Sequence, residues 1–329
     1  MANKLTLYLI KGKKTKYDIS ELLINATWGG QKGSACRTLE FTLINDKNIA
    51  MAGIDIEQGN HVIYKINNDE AFRGIILRQE EDSSNKTITC KAYDVGVYLS
   101  NNTDTFVIKN KTASGIFLNV CKRYNIPVSS TAKTPYIIKS HIQESKKAWD
   151  CLLSALSKTY KHTGIRYYIR ADKGKLSLSR RSKDVVNLII ETGANVQAYK
   201  RVKSYENVVT RIKMYDDKNK FKASSWNVTL ESVIGVFQDV ISYNKEKNKG
   251  QLSKYTRREL MNRDKVDNTL TLTVNGDKRL ISGRCVNVII RPLNISRKYY
   301  IDSDTHSFND SGGYSTQLTL NVYDEKEWS

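Results

Sequence analysis

The chain offers few residues whose type and spacing suit chemistry. Its four histidines are His61, His141, His162 and His306, and no two stand at metal-ligand spacing. His-Glu-x-x-His, Gly-x-Ser-x-Gly and Gly-rich phosphate loops are absent from the sequence. Glu80-Glu81-Asp82 is an acidic triplet of a kind that binds a cation, but it falls in a predicted hairpin turn and reads better as a solvated loop. Asp302 and Asp304 alternate on a predicted strand and so share a face. Two carboxylates without a nucleophile or a cleft define no enzyme. His306 ends the same strand and reads as a surface or core histidine. The five cysteines, Cys36, Cys90, Cys121, Cys151 and Cys285, are scattered, odd in number and lack a Cys-x-x-Cys pair, so reduced, partly buried thiols are expected. No catalytic residue, cofactor or metal ligand is assigned, and the expectation is a protein that is not an enzyme.

Charge is the more informative property. The formal net charge is +19. Residues 1–105 hold 13 basic and 13 acidic side chains, and residues 268–329 hold 7 of each. Residues 106–195 hold 17 basic and 5 acidic side chains, a net +12, and residues 196–267 hold 16 and 9, a net +7. The excess therefore sits in the middle of the chain. Lys146, Lys147, Arg166, Arg170, Arg180, Arg181 and Lys183 are the candidate residues of a basic, partner-facing surface. Such a surface attracts phosphate, and Tyr167 and Tyr168 are placed to stack on bases. A basic nucleic-acid-binding protein is thus one reading. No nucleic-acid-binding signature accompanies the charge, which leaves a solvated or protein-facing surface as the alternative.

The elements that position these residues are mostly strands. At 329 residues, 40% apolar and 26% charged, the chain suits two or three globular domains. No run approaches the roughly 18 apolar residues of a membrane span, and Met1 to Leu7 lacks a signal-peptide core, so no membrane embedding and synthesis in the cytoplasm are expected. Leu39, Phe41 and Leu43 share one face of a strand. Between the strand-rich ends the period changes to that of a helix. Ile116, Phe117, Val120, Cys121 and Tyr124 form one stripe, with Thr112 as its N-cap. A second helix runs from about Ser145 to Lys161 with Gly164 as its stop, and a hairpin turns at 171–174. Strands are expected again at 208–215, 225–230 and 235–241, then a helix at about 251–266.

Two stretches repeat one order of elements. Gly59 to Tyr64 matches Gly283 to Val288, with Val62 against Val286. Ala71 to Ile76, containing Arg73 and Gly74, takes the place of the strand around Ile301, and Thr87 to Tyr93-Asp94 matches Gln317 to Tyr323-Asp324. That order points to a duplicated β-domain. The expected division is residues 1–105, a first β-domain; 106–195, a basic α+β domain; and 196–329, a second β-domain with one outer helix.

Taken together, Ala71-Phe-Arg-Gly-Ile-Ile76, Lys91-Ala-Tyr-Asp94, Ser145 to Leu153, Tyr205 to Arg211, Gly235-Val-Phe-Gln238 and Tyr299 to His306 resemble the XkdQ-type phage tail hub proteins, which are similar to late-control-D-type baseplate hubs of contractile tails. The resemblance covers nearly the whole chain in one order. It implies a mainly β fold of two tail-tube-like β-barrels separated by the small α+β domain. It implies a homotrimer whose six barrels form a pseudo-sixfold ring joining the tail tube protein to the spike. Other baseplate proteins and a tape measure protein are further partners, and DNA meets the ring only by passage through the lumen. The location implied is the tail baseplate of a virion, a defective prophage particle or a phage-tail-like bacteriocin. A cell-wall hydrolase component is the least favoured alternative.

Overall fold

The computed structural model describes residues 4–12, 15–45, 55–242, 249–308 and 313–322. The chain divides into two compact units, Met1–Tyr199 with Thr271–Ser329, and Lys200–Leu270.

The larger unit is built on a mainly antiparallel sheet. From one edge its order is Thr15–Asp18, Leu5–Lys11, His61–Ile66, Asp69–Asp82, Thr87–Tyr93, Thr38–Ile44, Leu23–Gln31, Ile295–Phe308 and Tyr314–Val322. Asp267–Asn275 and Val196–Ser204, in which the chain passes between units, continue it, while Val185–Glu191 pairs in parallel with Cys285–Ile290 beside Ile295–Phe308, giving 13 strands. Leu39, Phe41 and Leu43 point inward as their spacing requires, and pack with Leu7, Leu9, Trp28, Val62, Tyr64 and Cys90. Each such burial contributes roughly 1.5–3 kcal/mol for the larger side chains. Phe308 completes this core and stacks on Tyr314 at 4.1 Å.

Two tail-tube-like β-barrels were expected, but among the described residues no barrel closes. The strands of both repeats belong to one ladder. The cause is the 14-residue strand Ile295–Phe308. Its first half pairs with Cys285–Ile290, a register shift follows between Ile301 and Ser303, and its second half pairs with 26–31 of the N-terminal region. A bulge bends and re-aims a strand in this way. Gly29 permits the crossing, since a Cβ there would collide with the Asp304 carbonyl.

The three-strand groups at the two ends share local geometry. Gly59 N donates to Ile76 O (2.8 Å), and Ile76 N returns a bond to Asn60 O (2.9 Å). Gly283 N donates to Ile301 O (2.9 Å), and Ile301 N returns one to Arg284 O (2.9 Å). Both glycines have left-handed φ, 91° and 96°, which side chains resist. The register shift falls just after Ile76 in one group and just after Ile301 in the other. Val62 faces Gly74, and Val286 faces Tyr299. The outer ladders run Ile75 to Tyr93 and Tyr300 to Asn321. Asn321 is two residues short of Tyr323-Asp324, the pair matched to Tyr93-Asp94 in sequence. Tyr323 and Asp324 lie outside the described residues.

The α+β insert packs helices Ala113–Arg123 and Ala148–Thr163 on a sheet of Tyr167–Asp172, Lys175–Arg180 and Val128–Thr131, and on the ladder of Thr103–Thr112 with Ile137–Lys147. Thr112 caps the first helix, its hydroxyl accepting from Gly115 N at 3.2 Å. Gly164 ends the second in a left-handed conformation, donating to Tyr160 O at 2.8 Å.

The smaller unit holds the sheet Phe221–Trp226, Arg211–Tyr215 and Gln238–Ser242, the last two in parallel. The strand expected at 225–230 stops at Trp226. Asn227 accepts from Leu230 N (3.2 Å) and starts a helix, Val228–Ile234. A capping side chain here overrides the β-preference of Val228 and Thr229. The helix expected at about 251–266 spans Lys249–Arg263 and packs on this sheet, with Leu252 against Met214 and Ala223.

Candidate functional site

The seven basic residues named from the sequence occupy three environments. Lys146 and Lys147 are exposed at the end of Ile137–Lys147, opposite Asp104 and Thr103. Arg180 and Lys183 are also exposed, and Arg180 Nε donates to Ser182 Oγ at 3.1 Å. Arg166 and Arg170 are half-buried. Arg166 Nη2 donates to Tyr160 Oη at 3.0 Å, and Arg170 Nη2 lies 3.8 Å from Asp184.

Arg181 departs from the expected surface. It is 3% exposed. Its Nε donates to Gly283 O (3.1 Å), and its Nη2 donates to Ile301 O (2.9 Å) and Asp302 Oδ1 (2.8 Å). Its guanidinium sits 4.1 Å over the Tyr300 ring. The planar fork of an arginine suits this mixture of carbonyls, carboxylate and ring face. Arg181 therefore fastens the α+β insert to the second repeat.

Asp302 and Asp304 serve different arginines. Asp302 receives Arg181 and Asn321 Nδ2 (3.1 Å). Asp304 is held bidentately by Arg37, with Nη1 to Oδ1 at 2.9 Å and Nη2 to Oδ2, and accepts from Ser282 N. His306 completes the junction: Nε2 lies 3.1 Å from Asp304 Oδ2 and Leu280 O, and Nδ1 lies 2.7 Å from Tyr314 Oη. Trp28 stacks on His306 at 4.2 Å and takes Arg37 on its ring at 4.5 Å. Burial, the largest single influence, raises the Asp304 carboxyl, but Arg37 and His306 together outweigh it and hold the group well below the usual carboxylate range. Burial lowers the His306 imidazole, which Asp304 only partly offsets. The cluster binds the N-terminal turn, the second repeat and the crossing strand together. His306 is thus a core histidine.

The other chemical candidates are structural too. His141 Nε2 lies 3.4 Å from Cys151 Sγ, the geometry of a Cys–His nucleophile. Both residues are fully buried, and burial pushes the Cys151 thiol up to about 11. A thiol so raised is no nucleophile at neutral pH. Asp82 accepts from Ser84 N and Asn85 N at the exposed turn after Glu80-Glu81. Among the described residues no group of three or more His, Cys, Asp or Glu is placed to hold a metal ion, and no helix is long and apolar enough to cross a membrane. Sequence reasoning missed the Arg37 junction. Its one visible trace is the Asp304-x-His306 alternation, since Arg37 lies 267 residues away.

The family model for YQBQ-like proteins matches residues 26–321, so the chain belongs to that family. It is 28% identical over 300 residues to the phage-like element PBSX protein XkdQ of Bacillus subtilis, covering 90% of each chain. Its fold is similar to the crystal structure of the 43 kDa tail protein of prophage MuSo2 from Shewanella oneidensis, with TM-score 0.71, 16% identity and coverage of 96% of this chain and 98% of that one. A tail protein from Neisseria meningitidis has the same TM-score at 14% identity, with 98% of each chain covered. The chain is thus mainly β and is similar to phage tail and baseplate structural proteins.

Proposed function

We propose that the chain is the structural central hub of a tail baseplate, in a phage or a phage-tail-like particle. Three copies form a pseudo-sixfold ring between tail tube and spike. The observation that carries this reading is the repeated three-strand group, with Gly59 and Gly283 in one conformation and one hydrogen-bonding pattern. Two such groups per chain make six in a trimer, the number a sixfold tube requires. The contacts between copies are heterologous, first group against second, because the two differ in sequence. In the assembled ring each group belongs to a tube-like β-domain, residues 1–105 and 196–329, with the basic domain 106–195 between them. The family membership and the fold support a tail location in general terms. Tail tube, spike, other baseplate proteins and a tape measure protein are the partners of this reading, with DNA passing only through the lumen.

The exposed basic residues Lys146, Lys147, Arg180 and Lys183 meet an acidic partner in the particle. A net +12 in one domain is self-repelling without counter-charge. The experiment is deletion of the gene in its host, followed by electron microscopy of released particles. The reading expects no complete tails until the chain is supplied again. Normal tails without the chain would overturn it.

A further inference from the structure

The ladder of Thr103–Thr112 with Ile137–Lys147 has two strands only. Thr103–Thr112 therefore bonds a neighbour along one edge and, among the described residues, meets no strand along the other. An unpaired edge offers a row of N–H and C=O groups to an incoming strand. Asn110 takes a left-handed φ of 49°, so the regular run of this edge is 103–109. A groove of about 350 Å³ follows it. Residues 106–109 line the groove from the strand, and Asn119, Val120 and Arg123 line it from the helix Ala113–Arg123. Consecutive strand residues point to opposite faces, so a groove lined by four in a row lies against the edge and not over one face. Phe106 and Val120, both buried, give it an apolar floor. Beside it Val107 is 62% exposed and stands opposite Ile142, 50% exposed.

Charge selects the occupant. Arg123 is already held by Asp104 at 2.5 Å. Lys109 and Lys111 line the same groove, are exposed, and meet no carboxylate among the described residues. The two strands carry five lysines, Lys109, Lys111, Lys139, Lys146 and Lys147, against two carboxylates, Asp104 and Glu144. Lysines on an open edge repel a like-charged edge, which argues against a second copy of this ladder. An extended segment that alternates apolar and acidic residues satisfies the edge, the apolar floor and the two lysines together.

We propose that the 103–109 edge receives such an acidic, extended segment of another protein as a third strand, with its apolar side chains in the groove and its carboxylates against Lys109 and Lys111. The proposal goes beyond the hub reading and is tested on the purified chain, so either can fail alone.

The probe is a dye-labelled heptapeptide, Asp-Val-Glu-Val-Asp-Val-Glu, read by fluorescence anisotropy against the full chain at low salt. Saturable binding is expected, weakened about tenfold or more by Lys109→Glu with Lys111→Glu and by Asn119→Trp. All three positions are exposed and line the groove, so the charges are reversed and the groove is filled without removing a core contact. An unchanged melting temperature for each variant separates blocking from unfolding. Two further probes need no variant. One is methylated on its valine nitrogens, the other on the nitrogens of its acids, and both keep the full charge. A strand joins the edge through alternate residues, so one methylated probe is expected to bind like the parent and the other about tenfold or more weakly. No binding, equal binding by the two methylated probes, or binding unchanged in the variants would overturn the proposal. So would tighter binding by a single-stranded oligonucleotide that the lysine replacements abolish.

Discussion

At the scale of single residues, Arg37 and Asp304 decide whether the two ends of the chain stay joined. Asp304 has no exposed side-chain surface, and Arg37 is its bidentate partner. Removing one member of a buried pair leaves the other uncompensated, at a cost of about 3–5 kcal/mol. Arg37→Met is therefore expected to lower stability to urea by that amount, and Arg37→Met with Asp304→Leu to recover part of it. A second residue-scale prediction concerns acid. The His306 imidazole is depressed in the folded chain, so below about pH 6.5, its ordinary value, the unfolded chain binds a proton that the folded chain refuses. Stability then rises with pH up to that value and is level above it. Asp304, also depressed, adds stability that is complete above about pH 4 and lost as pH falls further. Asp94, raised by burial to about 6, acts in the opposite sense between about pH 4 and 6. Replacing His306 with Gln should remove the rise in stability just below about pH 6.5, read from urea midpoints at each pH. A slope unchanged by the replacement would contradict the assignment of that window to His306.

At the scale of elements, the turn glycines carry a graded prediction. Alanine is strained at the φ of both Gly59 and Gly283. At Gly59 a Cβ meets open space, while at Gly283 it collides with the Tyr168 ring. Gly283→Ala is expected to cost more than Gly59→Ala, which itself costs about 1 kcal/mol or more. Equal losses in denaturant melts would contradict this. Thr112→Ala should cost about 1 kcal/mol through loss of the helix cap. Elements whose signals are local were legible in the sequence. The stripe Ile116–Val120, the Thr112 cap and the Gly164 stop all lie within a few residues of what they control. Strand partners were not legible. The pairing of 26–31 with 303–308 joins residues about 275 apart, and a period of two says which face is apolar but not which strand lies alongside. Arg181 was misread for the same reason. Its chain neighbours Arg180 and Lys183 are exposed, and only the distant Gly283 and Ile301 carbonyls explain its burial.

At the scale of the whole molecule, charge and symmetry make separate demands. Changing Lys146, Lys147, Arg180 and Lys183 to Glu is expected to reduce particle assembly while leaving the isolated chain folded, since all four are exposed. Arg181 is left out of that set because its loss would unfasten the insert. Full assembly by the fourfold variant would contradict a partner-facing surface. The composition pointed to this region by charge alone, whereas a cavity lined by residues as far apart as Gln31 and Gly283 left no mark in the sequence.

The most direct test is the number of copies at the tail axis, counted in an electron-microscopic reconstruction of the assembled baseplate. Three copies are predicted, with six matching three-strand groups around the lumen. Six copies, or two, would contradict the hub, because the groups would no longer match a sixfold tube.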